Sequence, residues 1–184
     1  MSLKKDSFNS LDKKYMQFAI NLANNQKPLT GTNPPVGCVI VKNKKIISYG
    51  VTNLNGRPHA ETIALNSCPA NSKNSTIYVT LEPCSHHGKT PPCTNAIIKS
   101  KAKKVYYSLE DSDLRSFNNS KKILNSKKIS AESGLLKSET KRLYPKCWTL
   151  SIAIHLSLFF SMELDFEYPK RLLFININNI NAIR

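Results

Sequence analysis

Apolar residues recur at three- and four-residue spacing from Leu11 through Tyr15, Phe18, Ala19, Leu22 and Ala23. This predicts an amphipathic helix opened by Ser10 and closed near Asn24–Asn25, ahead of Pro28. The pattern then becomes a short β-branched run, Val36 to Val41, a polar turn at Lys42-Asn43-Lys44, and a second apolar stretch, Ile46 to Tyr49, which together predict a hairpin. A second helix is expected from about Pro58–His59 through Ile63, Ala64 and Leu65. Thr76 to Leu81 is almost continuously apolar, as in a strand covered on both faces. After a polar, proline-rich loop, a helix from about Cys93 through Ile98 and a strand from Val105 to Leu109 follow, with weaker helical patterns at Ser120–Ser126 and Leu135–Tyr144. Helix, hairpin, helix, strand, helix, strand in this order implies a three-layer α/β/α sandwich with parallel central strands.

The last forty residues read differently. From Leu150 to Leu164 the even positions are apolar, and Ser151, Ala153, His155, Ser157, Ser161 and Glu163 lie among the odd ones. Strict alternation is the signature of a strand, and a membrane-spanning helix would need roughly 20 mostly apolar residues. An unpaired strand of this kind would expose a long apolar row, so self-association into a homo-oligomer or docking to a partner is expected there.

Composition adjusts the picture. The 27 Lys+Arg against 12 Asp+Glu give a net charge of +15, which by itself points to nucleic acid or an anionic membrane. The excess, however, is 22 Lys to 5 Arg, accompanied by 19 Asn and 16 Ile, three residue types with A/T-rich codons. Recognition of bases or phosphates would favour Arg, whose planar fork binds bidentately. The lysines are moreover scattered in pairs rather than massed. The charge is therefore read as soluble basic surface suited to a phosphorylated small molecule, with no membrane and no nucleic-acid partner. The N-terminal stretch carries Lys4, Lys5, Asp6, Asp12, Lys13 and Lys14 without an apolar core, so a cytoplasmic, reducing location is expected. In that setting, clustered cysteines among the five present would bind metal rather than form disulfides.

The chemistry concentrates in three short segments: His59-Ala60-Glu61, Pro83-Cys84 and Cys93. A histidine with a glutamate two positions on, followed by Pro-Cys and a further Cys, is the zinc deaminase pattern. One imidazole and two thiolates make a three-ligand zinc site whose fourth position stays open to water. The glutamate is no ligand; beside the metal it moves the water's proton. Each residue alone would pass as a helix start or a buried thiol. Only the ordered set, each motif following the right kind of element, carries weight.

Eight residues separate the cysteines, from Ser85 to Pro92, more than the two of many deaminases. The runs Asn33-Pro34-Pro35-Val36-Gly37-Cys38-Val39-Ile40-Val41, Gly56-Arg57-Pro58-His59-Ala60-Glu61 and Tyr78 through Cys93 closely resemble the riboflavin-biosynthesis pyrimidine deaminases, over roughly residues 10 to 145. The resemblance implies a cytidine deaminase-like fold with a mixed central sheet. It implies hydrolytic removal of the 2-amino group of 2,5-diamino-6-(5-phosphoribosylamino)pyrimidin-4(3H)-one. It also implies His59, Cys84 and Cys93 as ligands of Zn2+, Glu61 as proton shuttle, and Asn33, His86, Lys89 and Asp111 as substrate contacts. Lys89 makes independent sense as a point charge for phosphate. Cys38, Cys68 and Cys147 belong to no motif and are read as structural.

Several features depart from the family. In many of its bacterial members a reductase follows the deaminase. Here residues 1–145 are expected to form the deaminase domain, and residues 146–184 an extension like the decayed start of a reductase, so the reduction would fall to a separate polypeptide. Thr52 stands where the family usually has a histidine, and Asp111-Ser112-Asp113 replaces an Asp-Pro-Asn stretch, putting an added carboxylate near the expected phosphate. Two other readings follow from these features: a deaminase of tRNA adenosine, favoured by the charge and opposed by the long insert, and a zinc-stabilised scaffold without catalysis, opposed by the presence of Glu61.

Overall fold

A computed structural model describes residues 8–31, 33–112 and 117–144. Helix α1, Ser10–Gln26, buries Tyr15, Met16, Ala19, Ile20 and Ala23. Its cap is Asn9, whose side chain accepts the Asp12 amide at 2.8 Å, so the predicted cap at Ser10 moves one residue earlier. Strands β1, Gly37–Lys42, and β2, Lys45–Val51, form the expected hairpin. Asn43 and Lys44 turn it with φ of 51° and 60°, and the Tyr15 hydroxyl donates to the Lys44 carbonyl at 2.6 Å, pinning the turn to α1. The remaining elements are α2, Ala60–Asn66; β3, Thr76–Leu81; α3, Cys93–Ser100; β4, Lys104–Leu109; α4, Asn119–Ser126; β5, Ser130–Ser133; and α5, Lys137–Lys141.

The five strands lie in the order β2-β1-β3-β4-β5. β1 is antiparallel to both β2 and β3, whereas β3–β4 and β4–β5 are parallel. The sheet is thus mixed, as the family resemblance implied: β3, β4 and β5 are the parallel strands expected from element order, and the hairpin adds β1 antiparallel to β3. β5 had no counterpart in the sequence pattern. Its four residues are mostly polar, and Ala131 is the one that is fully buried. The helix expected over Leu135–Tyr144 contracts to Lys137–Lys141, with Leu135 and Leu143 flanking it in the core. The alternating stretch at 150–164, His155 and Cys147 lie outside the described residues.

Strand alternation divides the core into two layers. Cys38, Ile40, Ile77, Val79, Val105 and Tyr107 face α2, α3 and α4, together with Ala64, Ile97 and Leu124. Val39, Val41, Tyr78 and Tyr106 face α1 and the α5 segment. Gly37 lets α1 lie flush on the sheet, because a Cβ there would run into the Ala19 carbonyl. Cys38 and Cys68 are buried apolar thiols, in accord with their structural reading. Since β1 runs against β3, the start of β1 and the ends of β2, β3 and β4 fall at one edge of the sheet. Ligands of open α/β sheets gather beyond the carboxyl ends of parallel strands, and the candidate residues lie there.

Candidate active site

Two helix starts and one loop converge at that edge. His59 is the residue that caps α2, in extended backbone (φ −71°, ψ 156°), and Glu61 lies in the helix's first turn. Cys84 follows β3, and Cys93 is the first residue of α3. The Cys93 amide donates to the Cys84 sulfur at 3.2 Å, and the Thr94 amide to the Cys84 carbonyl at 3.2 Å, so the start of α3 fixes the loop. The eight-residue insert leaves and returns between these anchored points.

The Nδ1 of His59 lies 3.2 Å from Cys93 Sγ and 3.6 Å from Cys84 Sγ. All three ligand atoms fall within 4.8 Å of one another. Tetrahedral zinc, with bonds near 2.0–2.3 Å, sets its nitrogen and sulfur ligands roughly 3.5–3.8 Å apart. The donor set and spacing therefore fit that ion, and His59, Cys84 and Cys93 are positioned to bind it.

The electrostatics of the trio follow from its closeness. The hydrogen bond with Cys93 draws the Cys84 thiol down to about 4, helped against burial by His59. The closeness of the two thiols drives Cys93 upward, with burial adding to it. A metal ion would displace the thiol protons, since zinc ligands bind deprotonated. His59 is raised, mainly by its hydrogen bond with Cys84, against burial and the nearby Arg57 cation. Glu61, 3% exposed, is pushed up to about 7, first by burial and then by Cys84, with His59 opposing. Its carboxyl interacts with the Cys93 thiol. A carboxyl poised near neutrality beside a metal-ligand cluster is suited to exchange protons.

Residues 9–109 match the cytidine and deoxycytidylate deaminase zinc-binding region. The chain belongs to this deaminase family. The diaminohydroxyphosphoribosylamino-pyrimidine deaminase of Buchnera aphidicola subsp. Schizaphis graminum is 44% identical over 131 residues, covering 71% of this chain and 89% of that protein. The riboflavin biosynthesis protein RibD of Aquifex aeolicus is 42% identical over 134 residues, 72% of this chain but 37% of the relative. A solved structure of Acinetobacter baumannii RibD superposes with a TM-score of 0.70 at 39% identity, over 73% of this chain and 38% of that one. The chain thus spans little more than a third of the RibD proteins and nearly all of the Buchnera deaminase. Zinc is the metal of this deaminase family, and the architecture is the three-layer sandwich of its fold.

The family's other positions divide in this structure. Asn33 is held by its own Nδ2, which donates to the Asn55 carbonyl at 3.1 Å and the Thr30 carbonyl at 3.4 Å. Gly56, at φ 86°, makes room for it, since a Cβ there would overlap the Asn33 side chain. His86 is half-buried and Lys89 exposed, both on the insert. Asp111 follows β4, and its amide donates to Glu82 at 3.2 Å. Asp113 lies outside the described residues. Thr52 is buried, its hydroxyl accepting the Val36 amide at 2.9 Å, so it ties the end of β2 to the start of β1. No helix among the described residues is long and apolar enough to cross a membrane.

Three residues of the site were not singled out from sequence. Glu82, 3% exposed, accepts from the Asp111 and Asn118 amides and from both the amide and hydroxyl of Ser120. The Tyr144 hydroxyl donates to the Pro35 carbonyl at 3.1 Å and lies 3.3 Å from Thr80 Oγ1, locking the loop behind Asn33. Arg57 lies two residues before His59. Glu82 and Arg57 stand inside the motif runs, but the groups they approach, Ser120 for Glu82 and the Gly88 loop for Arg57, lie tens of residues away and leave no local signal.

Proposed function

We propose that this chain hydrolyses the 2-amino group of 2,5-diamino-6-(5-phosphoribosylamino)pyrimidin-4(3H)-one, giving 5-amino-6-(5-phosphoribosylamino)uracil and ammonia in riboflavin biosynthesis. The observation that carries the reading is the convergence of His59 Nδ1, Cys84 Sγ and Cys93 Sγ with the buried Glu61 carboxyl against them. Zinc held there would polarise a water molecule toward hydroxide at neutral pH.

Glu61 does the proton work. It takes a proton from the attacking water and delivers it to the ring nitrogen beside the amino-bearing carbon. Glu61 then takes the proton of the adduct's new hydroxyl and passes it to the amine, and the C–N bond breaks as the carbonyl forms, releasing ammonia while the ring nitrogen keeps its proton. Burial raises its affinity for a proton, which suits a group that takes a proton and passes it on. Asn33, which is rigidly held, together with His86, Lys89 and Asp111 contacts the base, ribose or phosphate, with Lys89 offering a charge to the phosphate. The net charge of +15 favours the encounter with a doubly negative phosphate.

Residues 1–145 form the deaminase, and residues 146–184 an extension without reductase activity. In this reading the product then passes to a reduction step. Incubating the zinc-loaded chain with the diaminopyrimidine ribose phosphate, cytidine, deoxycytidylate and adenosine-containing RNA tests the assignment. Ammonia and a product about one mass unit heavier should come from the first alone. Release from RNA or cytidine, and none from the pyrimidine phosphate, would overturn it.

A further inference from the structure

Arg57 brings an unused donor to the rim of this site. Its Nε is buried and has no hydrogen-bond partner among the described residues. Buried polar groups almost always have partners, so an orphaned guanidinium nitrogen beside this site marks a place where an acceptor is to arrive. The side chain leads toward the insert: Nη2 lies 3.8 Å from where a Cβ on Gly88 would stand, and His86 Nε2 lies 3.8 Å from the same point. Gly88 contributes no side chain, which leaves the space between these two groups open, and Lys89 follows it directly. Arg and Lys offer donors only. Thr52 cannot assist, because its hydroxyl is engaged with Val36.

We propose that Arg57 is a substrate-binding residue whose guanidinium grips the phosphate of the incoming ribose phosphate at the Gly88 rim, alongside Lys89. This rests on the assignment of a phosphorylated substrate above. Arginine is suited to the task where lysine is less so, because its fork can meet two phosphate oxygens at once. Neutralising the anion beside His86 also brings the sugar to the same rim that the metal-ligand loop defines.

The test compares wild type, Arg57→Gln and Arg57→Lys as zinc-loaded full chains. Zinc content and melting temperature are recorded for each. For the phosphorylated substrate, Arg57→Gln should raise KM roughly 10- to 100-fold with kcat little changed, and Arg57→Lys should recover part of the loss. The dephosphorylated riboside should react equally with all three, which a merely structural role would not give. Calorimetric titration with ribose 5-phosphate gives a readout independent of turnover: Arg57→Gln should lose affinity by a similar factor. Equal KM values and equal ribose 5-phosphate affinities in wild type and Arg57→Gln would overturn the proposal. If wild type failed to turn over the pyrimidine phosphate, the proposed function would fall, and the titration would still decide whether Arg57 binds phosphate.

Discussion

Replacing Glu82 should loosen one wall of the site without touching the metal ligands. Its carboxylate accepts four hydrogen bonds of 2.7–3.2 Å from Asp111, Asn118 and Ser120. It also stands in for a missing cap: Asn118 precedes α4 with φ 56° and makes no side-chain cap bond, so the negative charge of Glu82 meets the helix N-terminus instead. In Glu82→Ala the Asp111 and Asn118 amides can turn to water, as these residues are partly or fully exposed, whereas Ser120 is fully buried and its amide is stranded. Losing a buried charged acceptor costs about 3–5 kcal/mol. Glu82→Gln keeps one oxygen for Ser120 but turns an NH2 toward the Asp111 and Asn118 amides, costing about 2 kcal/mol. At roughly 3–4 °C per kcal/mol for a domain of this size, the melting temperature should fall by about 6–8 °C for Gln and 10 °C or more for Ala. Amide hydrogen exchange should accelerate across residues 111–120, and zinc should stay bound. A Gln variant melting within about 1 °C of wild type, with unchanged exchange at Ser120, would refute the clamp.

Other consequences can be read in the same way. Cys84→Ala should abolish stoichiometric zinc binding, and chelation of wild type should lower the melting temperature, since the metal binds the folded state alone; metal analysis and thermal scans check both. Gly56→Ala should place a methyl against Asn33 at a φ of 86° and raise KM more than it lowers kcat, which steady-state kinetics resolves. Glu110 is pushed up by burial, but the Lys137 ammonium 2.7 Å away outweighs this and holds it below its ordinary value of 4.5. A depressed folded pKa adds stability above the ordinary carboxylate range and loses it as pH falls through the lower value. Lys137→Met should therefore flatten the acid limb of a stability–pH curve, by about 0.5 kcal/mol after screening of this partly exposed pair.

Much of the fold was legible because the strands of this sheet announce themselves. Thr76–Leu81 is apolar on both faces, and the observed β3 has those same ends. The hairpin was marked by Asn43-Lys44 between β-branched runs, and the cluster of His59, Cys84 and Cys93 by residue type and order. β5 was hidden because a four-residue edge strand with one buried side chain has no period to detect. The sense of β1 against β3 was equally silent, since element order does not set strand direction across a hairpin. Within the site, chemistry that depends on residue type could be read, while chemistry that depends on long-range pairing could not. Glu82 meets Ser120 across 38 positions and Tyr144 meets Pro35 across 109, and no local pattern encodes either contact. Thr52 shows the reverse: the sequence marks it as a lost substrate contact, and the structure gives its hydroxyl a place in the fold.

The central claim is that Glu61 moves protons for a hydrolysis at the His59, Cys84 and Cys93 centre. Ammonia release from the diaminopyrimidine ribose phosphate, measured for the zinc-loaded wild type and for Glu61→Ala with zinc content and melting temperature recorded in both, tests it most directly. The account predicts turnover by wild type and its loss in Glu61→Ala, with metal and fold retained in each. Equal release by the two proteins, or none from a folded, zinc-bound wild type, would contradict it.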